Sequence, residues 1–142
     1  MASAGGHFNQ LVLLGPGLEG QAVNYVTTLP GLAETYGARP SALVPDCNAD
    51  TPLRIVLCVA VTGWQVLRHW PHAIVTTGAL PGVIALAWGR AIGARTLWID
   101  SIANAEELSA SGRLARRIAH RTLSQWPAVA KAAGVDYEGA LL

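Results

Sequence analysis

Three short segments carry the residue types that could do chemistry in this sequence. They are Ser3-Ala4-Gly5-Gly6-His7, Thr76-Thr77-Gly78-Ala79-Leu80-Pro81-Gly82, and the run from Asp100 to Gly112. Histidine can exchange a proton near neutral pH, and glycine lets the backbone approach a ligand closely. Each segment leads into a helical pattern, and the second and third follow apolar runs. Strand-to-helix turns of this kind can meet at one edge of an α/β sheet and form a ligand site there.

The composition restricts the classes of protein to which the chain could belong. Its 142 residues suit one domain, and 51% hydrophobic with 13% charged residues predict an ordered core. A formal net charge of +1 argues against a nucleic-acid binder. Cys47 and Cys58 form no CxxC motif. We interpret them as reduced, partly buried thiols and leave a disulfide open.

Several other site classes lack their sequence signals. We expect no signal peptide, because no charged leader precedes an apolar segment at the start. No run approaches the roughly 20 apolar residues of a membrane-spanning helix, which leaves only a peripheral membrane contact open. The sequence has no P-loop, no G-x-S-x-G elbow and no metal-ligand spacing. We therefore predict neither a metal nor a cofactor.

Alternating strand and helix patterns predict the elements that would position the three segments. The predicted strands are 21–28, 41–44, 73–77, 95–100 and 121–125, and the predicted helices are 8–14, 30–36, 52–70, 80–92 and 111–120. Within the longest helix, a buried face is predicted for Leu53, Val56, Leu57, Ala60, Trp64 and Leu67. The alternation predicts one α/β domain over residues 1–142, with a parallel Rossmann-like sheet and helices on both faces.

One strand is missing from this pattern. A Gly-Gly-His turn normally follows a buried strand of about five residues, and here three residues precede it. We therefore expect a sheet that lacks its first strand, through a truncated or misplaced start.

The order of the turns carries a resemblance to a known family. The three segments, followed by Leu123-Ser124-Gln125-Trp126-Pro127, resemble the acceptor-side, membrane-associated subunit of split GT-B glycosyltransferases. That family includes the anchoring subunit of the UDP-GlcNAc transferase of lipid-linked oligosaccharide synthesis and bacterial exopolysaccharide glucuronosyltransferase subunits. The chain looks most similar to the bacterial group, from residue 2 to residue 142.

The resemblance implies a fold, partners and a location. The fold would be the N-terminal half of a GT-B enzyme, and a separate donor-binding subunit would bind most of the UDP-sugar. The acceptor would be a lipid-pyrophosphate-linked sugar at the cytoplasmic face of the membrane, and activity would require both subunits. Two positions depart from the eukaryotic pattern, because Asn104 stands where arginine is usual and Asp100 replaces a glutamate.

Glycosyl transfer needs a base for the acceptor hydroxyl and groups that bind the substrates. His7 is the predicted base, and the alternative is a packing or capping role. Asp100 is the second predicted catalytic residue, holding sugar hydroxyls or orienting His7, and the alternative is a cap on the next segment. Gly5 and Gly6 are predicted to approach a phosphate or the acceptor, with a simple tight turn as the alternative.

The other predicted substrate contacts lie in the second and third segments. Thr77 and Gly78 could form a second anion-binding turn, and the alternative is that they only start the next helix. Ser101 and Asn104 share the argument made for Asp100.

Two further predictions concern surfaces. We expect four arginines, Arg113, Arg116, Arg117 and Arg121, on neighbouring turns of one helix, facing anionic headgroups, a pyrophosphate or solvent. Trp126 is a candidate for partner contact. Rival functions are a non-catalytic membrane scaffold that recruits the catalytic subunit, and a self-sufficient nucleotide-binding enzyme.

Overall fold

The protein is described by a computed structural model over residues 1–141, in which helices and strands alternate. The helices are α1 (Gly6–Leu13), α2 (Leu32–Thr35), α3 (Pro52–His69), α4 (Ala79–Ala91), α5 (Ala110–Ala115) and α6 (Pro127–Ala133), and a 3-10 turn covers Gly15–Leu18. The strands are β1 (Tyr25–Thr27), β2 (Ser41–Leu43), β3 (Ala73–Thr76), β4 (Arg95–Ile99) and β5 (Arg121–Leu123). The predicted α/β class is confirmed.

All the strand pairs are parallel. β1 pairs with β2, and β3, β4 and β5 form a second group in that order. Residues 1–3 lie between the two groups. The N–H of Ala2 donates to the carbonyl of Val26 in β1 at 3.0 Å, and the amine of Met1 donates to the carbonyl of Val75 in β3 at 2.6 Å. Residues 1–3 are not assigned to a strand, but they lie between the two strand groups, where the sequence analysis found the first strand of the sheet to be missing.

Helices cover both faces of the strands, as predicted. Alternate residues of a strand point to opposite faces, and β3 shows this directly. Ile74 packs in the cluster formed with α3 and α4, which includes Leu86 and Trp98. Val75 packs on the opposite side against Phe8 and its neighbours from α1 and α2.

α4 lies unusually close to the strands beneath it. A Cβ added at Gly82 would come within 2.2 Å of the Thr76 hydroxyl oxygen, and one at Gly89 would come within 2.8 Å of the Ile74 Cδ1. Only glycine permits this approach. α4 also packs against α3 and α5, which explains why the α4 sequence is apolar almost all round.

The predicted buried face of α3 is wrong. The helix buries Cys58, Thr62, Gly63 and Val66. The stripe that was predicted to be buried faces outward, with Leu53 85% exposed and all its other members exposed as well. The reason is the close contact with α4, where a Cβ on Gly63 would lie 2.5 Å from the Trp88 ring. The contact selects the side of α3 with small residues.

The C-terminal part differs from the prediction in two ways. α6 was not predicted, although Pro127 starts it and Gly134 ends it in the left-handed conformation. The predicted helix over 111–120 ends at Ala115, so the four arginines do not share one helix. Arg121 lies on β5 and pairs with Asp136 and Glu138.

Both cysteines are free and buried, as the sequence analysis expected. Burial is the main reason that the pKa of Cys47 is raised to about 12, with contributions from Cys58 and Asp46. A thiol with such a pKa stays protonated and unreactive at neutral pH.

Candidate active site

A pocket of about 410 Å³ lies where the three polar segments meet. It opens beyond the carboxyl ends of β3 and β4, the edge at which open α/β sheets bind ligands. Its lining consists of Gly6, His7, Ala79, Ser101, Ala103, Asn104, Ser109, Ala110 and Ser111. Four of the predicted site residues, Gly6, His7, Ser101 and Asn104, therefore share one pocket. The other four, Gly5, Thr77, Gly78 and Asp100, stand beside or behind this lining.

His7 is held by the turn that follows β3. Its Nδ1 lies 3.1 Å from the carbonyl oxygen of Thr77, and the Thr77 hydroxyl donates to the carbonyl of His7 at 2.5 Å. A carbonyl can only accept, so in the neutral imidazole Nδ1 carries the proton and Nε2 has the free lone pair. This arrangement leaves His7 with a proton-accepting nitrogen on a ring that lines the pocket.

Gly78 leaves the space that the His7 ring fills. A Cβ at Gly78 would lie 2.2 Å from the His7 Nδ1, and the φ of +153° also disfavours other residues. The next residue, Ala79, has a φ of +66°. A positive φ is uncommon for a residue other than glycine and costs free energy. The backbone strain at Ala79 lies in the pocket lining, at the first residue of α4.

The first turn of α1 presents backbone N–H groups beside His7. Gly5 has a φ of +78° and precedes the helix without a capping side chain. The first N–H groups of a helix have no partner within it. A Cβ added at Gly5 or Gly6 would meet no atom from elsewhere in the fold within 4 Å. An anionic group could therefore approach these N–H groups closely.

Asp100 is buried and its carboxylate has three hydrogen-bond donors. Oδ1 accepts from the Trp98 indole at 3.0 Å and from the Ser109 hydroxyl at 2.6 Å, and Oδ2 accepts from the Ser109 N–H at 2.8 Å. Ser109 in turn caps α5 by accepting from the N–H of Gly112 at 2.8 Å. These contacts match the alternative role of Asp100, in which its carboxylate holds the next segment and so shapes the pocket wall.

Two buried glutamines, which the sequence analysis did not assign to the site, hold the loop after β4. The Gln10 amide donates to the Ser101 hydroxyl at 3.2 Å and accepts from the Ile102 N–H at 3.2 Å. The Gln125 amide donates to the Gln10 oxygen at 2.6 Å and to the carbonyl of Asp100 at 2.9 Å. Gln10 lies one helical turn after His7, and that spacing was the signal available for it.

Acidic and basic side chains near the site are mostly at the surface. Glu106 is exposed, and Glu107 forms an exposed ion pair with Arg113 at 3.3 Å. Trp126 donates from its indole to the carbonyl of Ile102 at 2.7 Å, so it supports the loop that carries Asn104. Among residues 1–141, no three potential metal ligands come together.

Comparisons with known proteins found similarity in part of the sequence and in the fold. No family model matches the chain. In an alignment of 73 positions that covers 47% of this chain, it is 34% identical to the UDP-N-acetylglucosamine transferase subunit ALG14 of Eremothecium gossypii. The matched part spans 33% of that subunit.

The fold has a counterpart among solved structures. MurG of Acinetobacter baumannii, a GT-B protein, superposes on 89% of this chain with a TM-score of 0.73 and 14% sequence identity. This chain covers 41% of the MurG chain. The protein thus has an α/β fold that matches part of the GT-B fold of MurG, and part of its sequence is similar to that of a UDP-N-acetylglucosamine transferase subunit.

Proposed function

We propose that this chain is the acceptor-side subunit of a two-component glycosyltransferase. It would transfer a sugar from a UDP-sugar to a lipid-linked acceptor in polysaccharide or oligosaccharide biosynthesis, together with a donor-binding subunit. The observation that carries the proposal is the pocket that His7 lines beside a glycine-rich helix start, with its Nδ1 held by the Thr77 carbonyl. The similarities to ALG14 and to the GT-B fold of MurG support it.

In the proposed reaction, this chain carries out one proton transfer. The Nε2 of His7 accepts the proton of the acceptor hydroxyl as that oxygen forms a bond to the anomeric carbon of the donor sugar. The bond between the anomeric carbon and the diphosphate oxygen breaks, and UDP leaves with the bonding electron pair. General base catalysis of this kind contributes typically about 10²–10⁴ in rate.

The remaining site residues would bind and position the acceptor. The N–H groups that follow Gly5 and Gly6 would face the acceptor's pyrophosphate. Ser101 and Asn104 would contact sugar hydroxyls from the opposite wall. Thr77 and Gly78 would act through His7, which they contact, and Asp100 would act through Ser109.

The outward stripe of α3 supports a peripheral contact with the cytoplasmic face of the membrane. Leu53 and Trp64 on this stripe are 85% and 62% exposed. Arg54 and Arg68 flank it, and α3 contains no acidic residue. An apolar helix face with arginines and an interfacial tryptophan suits a membrane surface that carries anionic lipids. No helix within residues 1–141 has the length and apolarity needed to cross a bilayer.

The test uses the complex of this chain with a donor-binding subunit that copurifies with it. Transfer of labelled sugar from a UDP-sugar to lipid extract would be measured for the native chain, for His7→Gln and for His69→Gln, an exposed histidine on α3. We expect His7→Gln to reduce turnover at least about 100-fold with the complex intact. We expect His69→Gln to match the native chain. Equal turnover in all three complexes would remove His7 from catalysis.

The scaffold alternative is favoured by a different observation, the exposed α3 stripe. In a scaffold, Leu53→Ser together with Trp64→Ser would release the complex from vesicles and abolish transfer, whereas His7→Gln would leave transfer unchanged. In the enzyme subunit that we propose, His7→Gln reduces transfer at least about 100-fold without changing vesicle binding. Vesicle flotation and the transfer assay on the same two variants distinguish these functions.

A further inference from the structure

The hydroxyl group of Ser101 has one unused hydrogen-bonding function. Ser101 is 6% exposed and lines the pocket of about 410 Å³. Its Oγ accepts from the side-chain amide of Gln10 at 3.2 Å and from the N–H of Ala103 at 3.3 Å. A hydroxyl oxygen has two lone pairs and one hydrogen, so both lone pairs are occupied. Within residues 1–141, the hydrogen is donated to no acceptor.

Backbone N–H groups, which can only donate, fix the direction of these hydrogen bonds. The N–H of Ile102 lies 3.2 Å from one end of the Gln10 amide. That end is therefore the oxygen, and the end that faces Ser101 is the NH2 group. The N–H of Leu141 identifies the oxygen of Gln125 in the same way, at 2.8 Å. Either amide, if it were turned over, would place one donor against another.

The two glutamines form a chain in which the hydrogen bonds run in one direction. The Nε2 of Gln125 donates to the Oε1 of Gln10 at 2.6 Å, and the Nε2 of Gln10 donates to Ser101. Gln10 and Gln125 are 5% and 3% exposed, so water has little access to them. Hydrogen bonds in such chains polarise and strengthen one another. If the Ser101 hydroxyl turned toward Gln10, two donors would face each other and the chain would break.

The rest of the pocket suits a ligand that supplies acceptors. The described residues that line it include no carboxylate, and the carboxylate of Asp100 behind them already accepts from Trp98 and Ser109. At the start of α1, the first backbone N–H groups beside His7 have no partner within the helix. The buried hydroxyl of Ser101 adds a side-chain donor to these main-chain donors in the same pocket.

We propose that Ser101 binds the ligand only as a hydrogen-bond donor, and that Gln10 and Gln125 are the positioning residues that impose this direction. The pocket then takes a ligand with an accepting oxygen at this point, and it rejects one that presents an ammonium group there. The inference rests on the proposed function for its substrate, the lipid-linked acceptor. A sugar hydroxyl and a pyrophosphate oxygen of that acceptor can each supply the accepting oxygen.

The substitution Gln10→Glu reverses the chain while it keeps the shape of the side chain. An ionised carboxylate cannot donate, so the Ser101 hydroxyl turns to donate to it and presents a lone pair to the ligand. When the new carboxyl is protonated at lower pH, it donates to Ser101 and restores the native direction. Transfer of labelled sugar to lipid extract is measured at pH 5, 6, 7 and 8 and divided by the native rate at the same pH. We expect this ratio to fall at least about tenfold from pH 5 to pH 8.

Two control variants separate this effect from a general effect of charge. Gln21→Glu places the same group at an exposed position, and its ratio should not change with pH. Gln10→Glu combined with Ser101→Ala should also show no pH dependence relative to Ser101→Ala alone, because the hydroxyl that turns is absent. Titratable groups near the position, His7 and Asp100 among them, are common to all the chains, so the ratios remove their contributions.

A second experiment tests the native chain and does not require sugar transfer. The chain is labelled with the NMR-active nitrogen isotope, and the side-chain amide signals of Gln10 are followed. Donation by Ser101 to a ligand makes its oxygen a better acceptor, so the Gln10 amide proton should move to higher frequency. Inorganic pyrophosphate and N-acetylglucosamine are added separately. A shift with pyrophosphate assigns the accepting oxygen to a phosphate, and a shift with the sugar assigns it to a hydroxyl. The Ser101→Ala chain should show no shift with either.

Three results would contradict the proposal. One is a Gln10→Glu ratio that does not change with pH, and another is a pH dependence that persists in the Ser101→Ala chain. The third is a Gln10 signal that moves with neither probe, or that moves equally in the Ser101→Ala chain. Circular dichroism verifies that the Gln10→Glu chain is folded at each pH, and the NMR experiment alone decides if it is not. A native complex that transfers no sugar would instead contradict the proposed function, and the NMR result would still decide the role of Ser101.

Discussion

Acetylation of the Met1 amine should remove a destabilisation that grows as the pH falls from 8 to 5. The amine is buried between β1 and β3 and donates to the carbonyl of Val75. Acetylation replaces it with an uncharged amide that keeps the same N–H donor. The adjoining cavity of about 470 Å³ has room for the acetyl group.

The size of the effect follows from the two pKa values of the amine. The pKa is 8.0 in the unfolded chain and about 5 in the folded chain. Between these values the unfolded chain binds more protons, so the free energy of unfolding falls as the pH is lowered. The cost of the free amine is roughly 1.4 kcal/mol at pH 7 and approaches roughly 4 kcal/mol below pH 5. A small domain has only about 5–15 kcal/mol of stability in total.

The assay is urea denaturation at pH 5, 6, 7 and 8, followed by tryptophan fluorescence, which reports on the buried Trp98. Both chains must retain Met1, which mass spectrometry verifies. The difference between the free energies of unfolding of the two chains removes the contributions of the other titrating groups, because both chains share them. His120 is one of them, because desolvation, then Arg90 and Arg95, lower its pKa and so also reduce stability at low pH.

We expect the difference between the two free energies of unfolding to widen by roughly 3 kcal/mol from pH 8 to pH 5. A difference that stays constant over this range would refute the reasoning. It would mean that the amine titrates equally in the folded and unfolded chains, and hence that residues 1–3 do not lie buried between the two strand groups.

Three substitutions test other contacts. Asp100→Asn keeps the shape of the side chain but replaces one accepting oxygen with a donor, so urea denaturation should show a loss of about 1–3 kcal/mol. Gly63→Ala places a Cβ 2.5 Å from the Trp88 ring, and overpacking of this kind costs about 1–3 kcal/mol; unchanged stability would contradict the close contact of α3 with α4. Gly78→Ala should displace the His7 ring from Thr77, and imidazole NMR signals that do not change would contradict the contact.

The alternation of strands and helices could be predicted from the sequence because it depends on local patterns. Apolar runs of four or five residues between turns predicted β3 and β4, and Pro52 and Pro71 bracketed α3. The direction in which α3 faces could not be predicted in the same way. Its large apolar residues form the more conspicuous stripe, but packing against α4 selects the opposite stripe, because Gly63 fits against Trp88 there.

The contacts within the site could likewise be predicted only in part from the sequence. The glycine-rich turn around Gly5 and the polar residues after Ile99 were visible because residue type and position relative to a strand are properties of the sequence. Gln10 and Gln125 were missed as site residues because their partners lie 91 and 115 positions away in the chain. A glutamine in a helix or after a strand is usually exposed. Gln10 and Gln125 are buried because the fold places hydrogen-bonding partners beside them.

The amino-acid order alone therefore determined the class of fold, the identity of the turns and the presence of one proton-transfer candidate, His7. These depend on local backbone preference and on the period of apolar residues, which act between near neighbours. The tertiary structure decided that Asp100 serves Ser109, that α3 presents its large side chains outward, and that residues 1–3 lie between two strand edges. Those outcomes depend on which surfaces meet, and close packing, which leaves little room for a wrong side chain, selects among them.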